Sequence, residues 1–318
     1  MLGVLFRLAA AGWLLLHASP ALAQGPSLRL SGPPVADSLP LMALTRRELS
    51  DGLGLPVSFT PWHTPDQLRA LVSSGQVDAV ILTTAMAANL ANRGLPTRIV
   101  ALFSPPVWVV SAPPAPGRAE DLAGQELLMP FGAGEMPALL FAAWSRQTGI
   151  HPQARHVGGA MEAVQLLLMG RARHAFLSQP AIALALERGG GRLVKGLDFR
   201  RLWSQAFPGA PPLTHSALAL VGPRTGQSGL PAALTQAYVR ALAWAKESGR
   251  EAADLARTRL PALAAQMGEN AAGLEEVRLV EGPEAATAAW FLLDRLGEMS
   301  LACIGGKRPG VALLESVR

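Results

Sequence analysis

Thr64-Pro-Asp-Gln-Leu-Arg-Ala-Leu-Val-Ser-Ser-Gly75, followed by Gln76-Val-Asp-Ala-Val-Ile-Leu82, reads as a helix that stops on a glycine and a strand that follows at once. Thr64 is placed to cap the helix, and Pro65 takes its first position, where a missing N–H costs nothing. Leu68, Leu71 and Val72 then recur at helical spacing until Gly75. The run Asp78-Ala-Val-Ile-Leu82 has no polar alternation, which predicts a strand covered on both faces. Similar units flank it. Short strands are expected at 28–31, 56–60 and 98–103, with helices at 39–49 and 85–92 and a stiff turn at Gly32-Pro-Pro34. Strands alternating with helices imply an α/β fold with a mostly parallel sheet.

The same pattern returns further on. Glu162-Ala-Val-Gln-Leu-Leu-Leu-Met-Gly170 echoes the helix, His174-Ala-Phe-Leu-Ser178 the strand, and residues 181–189 the helix after it. A period this long is not a solenoid and suits two similar lobes. Between them lie the apolar run Val107-Trp-Val-Val110 and the proline-rich Ala112-Pro-Pro-Ala-Pro-Gly117; a second proline-rich break falls at Phe207-Pro-Gly-Ala-Pro-Pro212. The expected division is a first lobe from 24–106, a hinge or linker at 107–116, a second lobe at 117–210, and a return to the first lobe with C-terminal helices at 211–318. Two crossings would make a hinge.

Residues 1–23 read as a secretory signal peptide. Arg7 precedes an apolar run at 8–16, and Ala21-Leu-Ala23 supplies the small-x-small cleavage pattern, so the mature chain is expected to start at Gln24 in the periplasm. The run is shorter than the roughly 20 residues of a membrane span, so no stable membrane insertion is expected. The roughly 295 residues that follow exceed one compact core. With 50% hydrophobic and 16% charged residues, the chain can bury large cores. Its net charge of +5 comes from scattered arginines with no basic stripe, which argues against a nucleic-acid partner. The single Cys303 cannot form an internal disulfide and reads as a buried small hydrophobe.

In open parallel sheets, ligands sit beyond the carboxyl ends of the strands. In the first lobe those ends bring Pro34, Asp37 and Ser38, then Trp62 and His63, then Thr83, Thr84 and Ser104. In the second they bring Phe131, Gly132, Gly134 and Glu135, then Gly159 and Met161, then Ser178 and Gln179. The set is rich in aromatic, hydroxyl and amide groups, so a cleft between them would hold a small molecule, with Trp62 and Phe131 as apolar platforms. Each hydroxyl can equally be a turn or cap residue. Catalytic signatures fail on chemistry. Gly132-x-Gly134 has Pro137 where a dinucleotide fingerprint needs its third glycine, Ser228 lacks a nucleophile elbow, and His151 and His156 do not share a helix face for zinc. No catalytic residue, metal or cofactor is expected.

The order of segments resembles the type 2 periplasmic substrate-binding proteins of ABC importers, nearest the nitrate, sulfonate and taurine branch. The resemblance rests on Pro40-Leu41, the Gly75-x-x-Asp78-Ala79 pattern, and Ala91-Asn-Arg-Gly94 before its strand. It continues through Glu120-Asp-Leu-Ala-Gly-Gln125, Gly132-Ala-Gly134 and the helix end Thr148-Gly-Ile150. It implies two α/β lobes joined by a two-crossing hinge. It also implies a monomeric exported protein, not an enzyme, that delivers a small organic molecule or ion to a permease and ATPase complex in the inner membrane. Enzymes of pyrimidine or menaquinone synthesis share the fold, and a ligand sensor presenting to a membrane receptor is a further alternative. Relatives that bind oxyanions often carry Ser or Thr in the turn matching Gly132-Ala-Gly-Glu135. Here Glu135 brings a negative charge instead, so a neutral or cationic ligand is expected, with Glu135 as counter-ion.

Overall fold

The computed structural model describes residues 27–267 and 274–317; the signal peptide read at 1–23 lies outside them. The first stretch runs β1 Leu28–Gly32, α1 Ser38–Ala43, β2 Val57–Pro61, α2 Pro65–Ser73, β3 Ala79–Thr83, α3 Thr84–Asn92 and β4 Thr97–Phe103. A second follows with β5 Val107–Ser111, β6 Glu126–Pro130, α4 Met136–Thr148, β7 Gln153–Val157, α5 Ala160–Leu168, β8 His174–Ser178, α6 Ala181–Gly189, β9 Val194–Asp198 and α7 Phe199–Ala206. The chain then adds β10 Ser216–Val221, α8 Leu230–Glu247, α9 Gly249–Arg259, α10 Pro261–Met267, β11 Leu279–Val280 and α11 Pro283–Met299.

Two sheets result, one ordered β11-β4-β10-β3-β1-β2 and the other β7-β6-β8-β5-β9. Read in opposite directions they match over five strands, β11 having no counterpart, so the repeat seen in the sequence is structural: β3 and β8 hold equivalent places. Strands β1, β2 and β3 are parallel, as are β6, β7 and β8. Each sheet also carries an interior antiparallel strand, β10 between β3 and β4, and β5 between β8 and β9, and the first sheet adds β11, antiparallel to β4, at its edge. The sheets are therefore mixed. The apolar run in β3 is covered on both faces as expected: Ala79 and Ile81 enter the core under α1, α8 and α9, while Val80 and Leu82 enter the core on the other side. That second core continues into the second lobe through Phe141, Trp144, Phe176, Phe199 and Trp203, whose neighbouring ring centroids lie 4.8–6.3 Å apart.

Two expectations are corrected. Residues 107–111 are not a linker: Val107 to Ser111 form β5, paired with both β8 and β9 in the interior of the second sheet. Four apolar residues in a row bury more surface in a sheet than in a hinge, and the crossing shortens to Ser104-Pro-Pro106. The helix expected at 39–49 ends at Ala43, because the Thr45 hydroxyl takes the Met42 carbonyl and Leu44 and Arg46 N–H groups turn back only three residues.

Beside the crossings the lobes share an ionic group. Lys195 Nζ lies 2.8 Å from Glu276 Oε1, and Arg200 reaches both Asp198, at 3.2 Å, and Glu276, at 3.7 Å. Lys195 and Arg200 belong to the second lobe, and Glu276 precedes the first-lobe strand β11. These groups are partly shielded from solvent, so Glu276→Gln is expected to cost about 1 kcal/mol at low salt and less at high salt. Urea unfolding at two ionic strengths measures the difference.

Candidate functional site

Only three residues, Ser104-Pro-Pro106, separate the carboxyl end of β4 from the start of β5, and Val107 pairs with Ser178 at the carboxyl end of β8. The return crossing ends at Ser216, which pairs with Thr83 and Phe103 at the carboxyl ends of β3 and β4. Both crossings thus join the same edges of the two sheets. The residues expected at the strand ends therefore belong to the two edges that the crossings join.

On the first lobe, β1 runs into α1 through Gly32-Pro-Pro34. A side chain on Gly32 would overlap the Ser38 hydroxyl, so only glycine lets α1 fold down over its own strand. That close approach buries Asp37 and Ser38. Trp62 is half-buried; its backbone N–H donates to Gly32 O and its indole Nε1 to Ile81 O at 3.1 Å, so the ring lies across the ends of β1 and β3. His63 is exposed, and its N–H donates to the Gln67 side chain. Thr83 caps α3 by accepting Met86 N–H, while Thr84 donates its hydroxyl to Thr214 O at 2.5 Å and its N–H to His215 O. Ser104 is buried and its N–H donates to Arg278 O.

On the second lobe, Phe131 is the one described residue other than glycine with a positive φ, at 69°. Its side chain is 49% exposed. Its N–H donates to Val157 O, its carbonyl accepts from His156 Nδ1, and its ring lies 3.5 Å from where a Gly159 Cβ would stand. A bulky residue held in this region costs of order 1–3 kcal/mol, strain that concentrates at binding sites. Gly132, Gly134 and Glu135 are exposed beyond it, and Glu135 precedes α4 without capping it through its side chain. Met161 is half-buried against the α5 core, and Gln179 caps α6 by accepting Ala183 N–H; Ser178 beside it is half-buried.

The start of β10 lies at the same edge of the first sheet, and the strand-end rule does not reach it. Because β10 is antiparallel, its beginning lies where the parallel strands end, and a search of carboxyl ends alone passes over Thr214, His215 and Ser216. All three are buried. Burial, with the Arg200 charge adding to it, holds the His215 imidazole down to about 4, so it is neutral. Burial pushes the Asp37 carboxyl up to about 6, opposed by the Ser216 hydroxyl. Among the described residues no three His, Cys, Asp or Glu side chains converge as a metal site would require.

Two mixed sheets of matching order, with facing carboxyl edges joined by two crossings, define the type 2 periplasmic binding protein fold. Solved structures share it over nearly the whole chain. An ABC transporter protein from Parabacteroides distasonis matches with a TM-score of 0.74 at 18% identity, over 91% of this chain and 98% of its own. The periplasmic aliphatic sulphonate binding protein of Escherichia coli matches at 0.68 and 14%, over 92% and 97%. The periplasmic nitrate-binding protein of Synechocystis PCC 6803 matches at 0.59 and 15%, over 87% and 84%. No family model and no curated protein sequence matches the chain.

Proposed function

We propose that the chain is an exported solute-binding protein that holds a small molecule between its facing strand ends and presents it to an ABC permease. The observation that carries this reading is Phe131, an exposed aromatic kept in a strained backbone at the mouth of the cleft, opposite a lobe that offers Trp62. The fold it shares with sulphonate- and nitrate-binding proteins supports capture. Closure about the two crossings would sequester the solute. In this reading the signal peptide is removed after Ala23, and N-terminal sequencing of periplasmic extract should begin at Gln24.

A thermal-shift screen against amines, carboxylates, sulfonates, nitrate and pyrimidines tests capture. A solute at about 100 times its Kd should stabilise the native protein by about 2.7 kcal/mol, and small-angle scattering should show the particle shrink. A screen in which no class raises the melting temperature would overturn the reading. Phe131→Gly separates binding from folding. Relief of strain should offset the lost ring and the added glycine entropy, leaving stability within about 1 kcal/mol of the parent, while the identified solute binds at least tenfold more weakly by calorimetry.

A further inference from the structure

Asp37 is 2% exposed, and among the described residues no lysine, arginine or histidine pairs with it. The Tyr238 hydroxyl of α8 donates to the Asp37 backbone carbonyl, and the carboxylate has the Ser216 hydroxyl beside it but no opposite charge. On its sequence neighbour and on the two residues before Ser216, each at least nine-tenths buried, three polar atoms find no partner: Ser38 Oγ, Thr214 Oγ1 and His215 Nδ1. One framework holds the four residues. Ser38 follows Asp37 and packs on Gly32, Thr84 ties down the carbonyls of both Thr214 and His215, and Ser216 leads β10 away beside β3. They occupy the ends of β1, β3 and β10, on the cleft edge of the first lobe.

Buried polar groups are almost always paired, and a buried charge without a partner is costly. A solute that brings the missing partner removes that cost on binding. An ammonium group has three N–H donors and a positive charge, which suits one carboxylate beside a neutral imidazole nitrogen and two hydroxyl oxygens able to accept. An anion would meet Asp37 here and Glu135 on the opposite edge. The nearby Arg200 does not reverse this, since Asp198 and Glu276 already balance its charge.

We propose that this corner is the anchoring subsite for the cationic head group of the captured solute, with Asp37 as counter-ion, Ser38, Thr214 and His215 as acceptors, and Trp62 against the apolar remainder. The inference rests on the capture reading above and moves the counter-ion from Glu135 to Asp37.

The test uses methyl, butyl and 2-phenylethyl skeletons, each as the ammonium, the alcohol and the sulfonate, titrated by calorimetry into the mature protein. On at least one skeleton the ammonium should bind tenfold or more tighter than its alcohol and its sulfonate, about 1.4 kcal/mol. Asp37→Asn should reduce that preference below threefold. Asp51→Asn, before β2 at the other edge of the sheet, should leave it unchanged. A sulfonate or alcohol that outbinds its ammonium, or a preference that survives Asp37→Asn, would overturn the inference and leave capture standing. No binding by any skeleton overturns the inference, and capture falls with it only if the wider screen is also empty. Should Asp37→Asn fail to fold, the order of affinities in the parent protein decides.

Discussion

Asp78→Ala is expected to cost about 3 kcal/mol of folding free energy while leaving solute affinity unchanged. The Asp78 carboxylate is 3% exposed as a side chain and accepts three hydrogen bonds from Arg29: the backbone N–H at 2.8 Å, Nε at 2.9 Å and Nη2 at 2.7 Å. Arg224 Nε lies 3.8 Å away on a third element. Its backbone joins the same three parts, since Asp78 N–H donates to Arg29 O and Asp78 O accepts from Val221. One side chain thus fixes β1, β3 and the turn after β10 at the edge away from the cleft. Removing one partner of a buried pair typically costs about 3–5 kcal/mol because the other is left uncompensated. Arg29 is partly exposed and can rehydrate its guanidinium, which places the loss at the lower end. Urea unfolding gives the stability and calorimetry the affinity. A loss below 1 kcal/mol would show that Arg29 and Arg224 hold the sheet edge without it. The second lobe solves the same problem with His174, whose Nδ1 meets Ser111 Oγ at 2.8 Å.

That residue also shows what the sequence makes visible. The Gly75-x-x-Asp78-Ala79 pattern marks a helix stop and a strand start, and both stand where they were expected, because an apolar period ended by glycine leaves the chain few alternatives. The repeat was legible for the same reason: β3 and β8 bury alternate residues on both faces, and their central residues are apolar without alternation. Strand β5 was misread because four apolar residues among prolines fit a linker as well as a strand; pairing with β8 and β9 decided it, and pairing is non-local. The strand-end rule picks out Asp37, Ser38 and Trp62 beyond the first sheet and Phe131 beyond the second. It could not place Thr214 and His215, since nothing in Ser216-Ala-Leu-Ala-Leu-Val221 reveals that this strand runs backwards. Nor can composition tell a hydroxyl facing a ligand from one capping a helix, as Thr83 does.

Asp37→Asn and His215→Gln are expected to change stability in opposite pH ranges, by about 3 kcal/mol each. The native state raises the Asp37 pKa from 3.8 to about 6, so it holds that proton more tightly than the unfolded chain does. Ionising Asp37 therefore costs stability as pH rises through that window. At about 1.4 kcal/mol per unit the cost reaches about 3 kcal/mol at pH 7 and vanishes below pH 3.8. The native state lowers the His215 pKa from 6.5 to about 4, so protonation costs stability as pH falls through that window, again by about 3 kcal/mol, and costs nothing at pH 7. In the parent protein the two slopes oppose each other between about pH 4 and 6. Relative to the parent, Asp37→Asn should gain stability from pH 4 to pH 7, and His215→Gln should gain it from pH 7 to pH 4, each offset by a constant from lost packing. Urea unfolding of all three proteins at pH 4 and pH 7 checks this, and parallel pH profiles would show that neither group titrates as its burial requires. A cationic solute beside Asp37 favours the ionised carboxylate, so its binding at pH 5 should release protons and its affinity should fall on acidification, whereas a solute bound elsewhere in the cleft would leave Asp37 untouched and show neither effect.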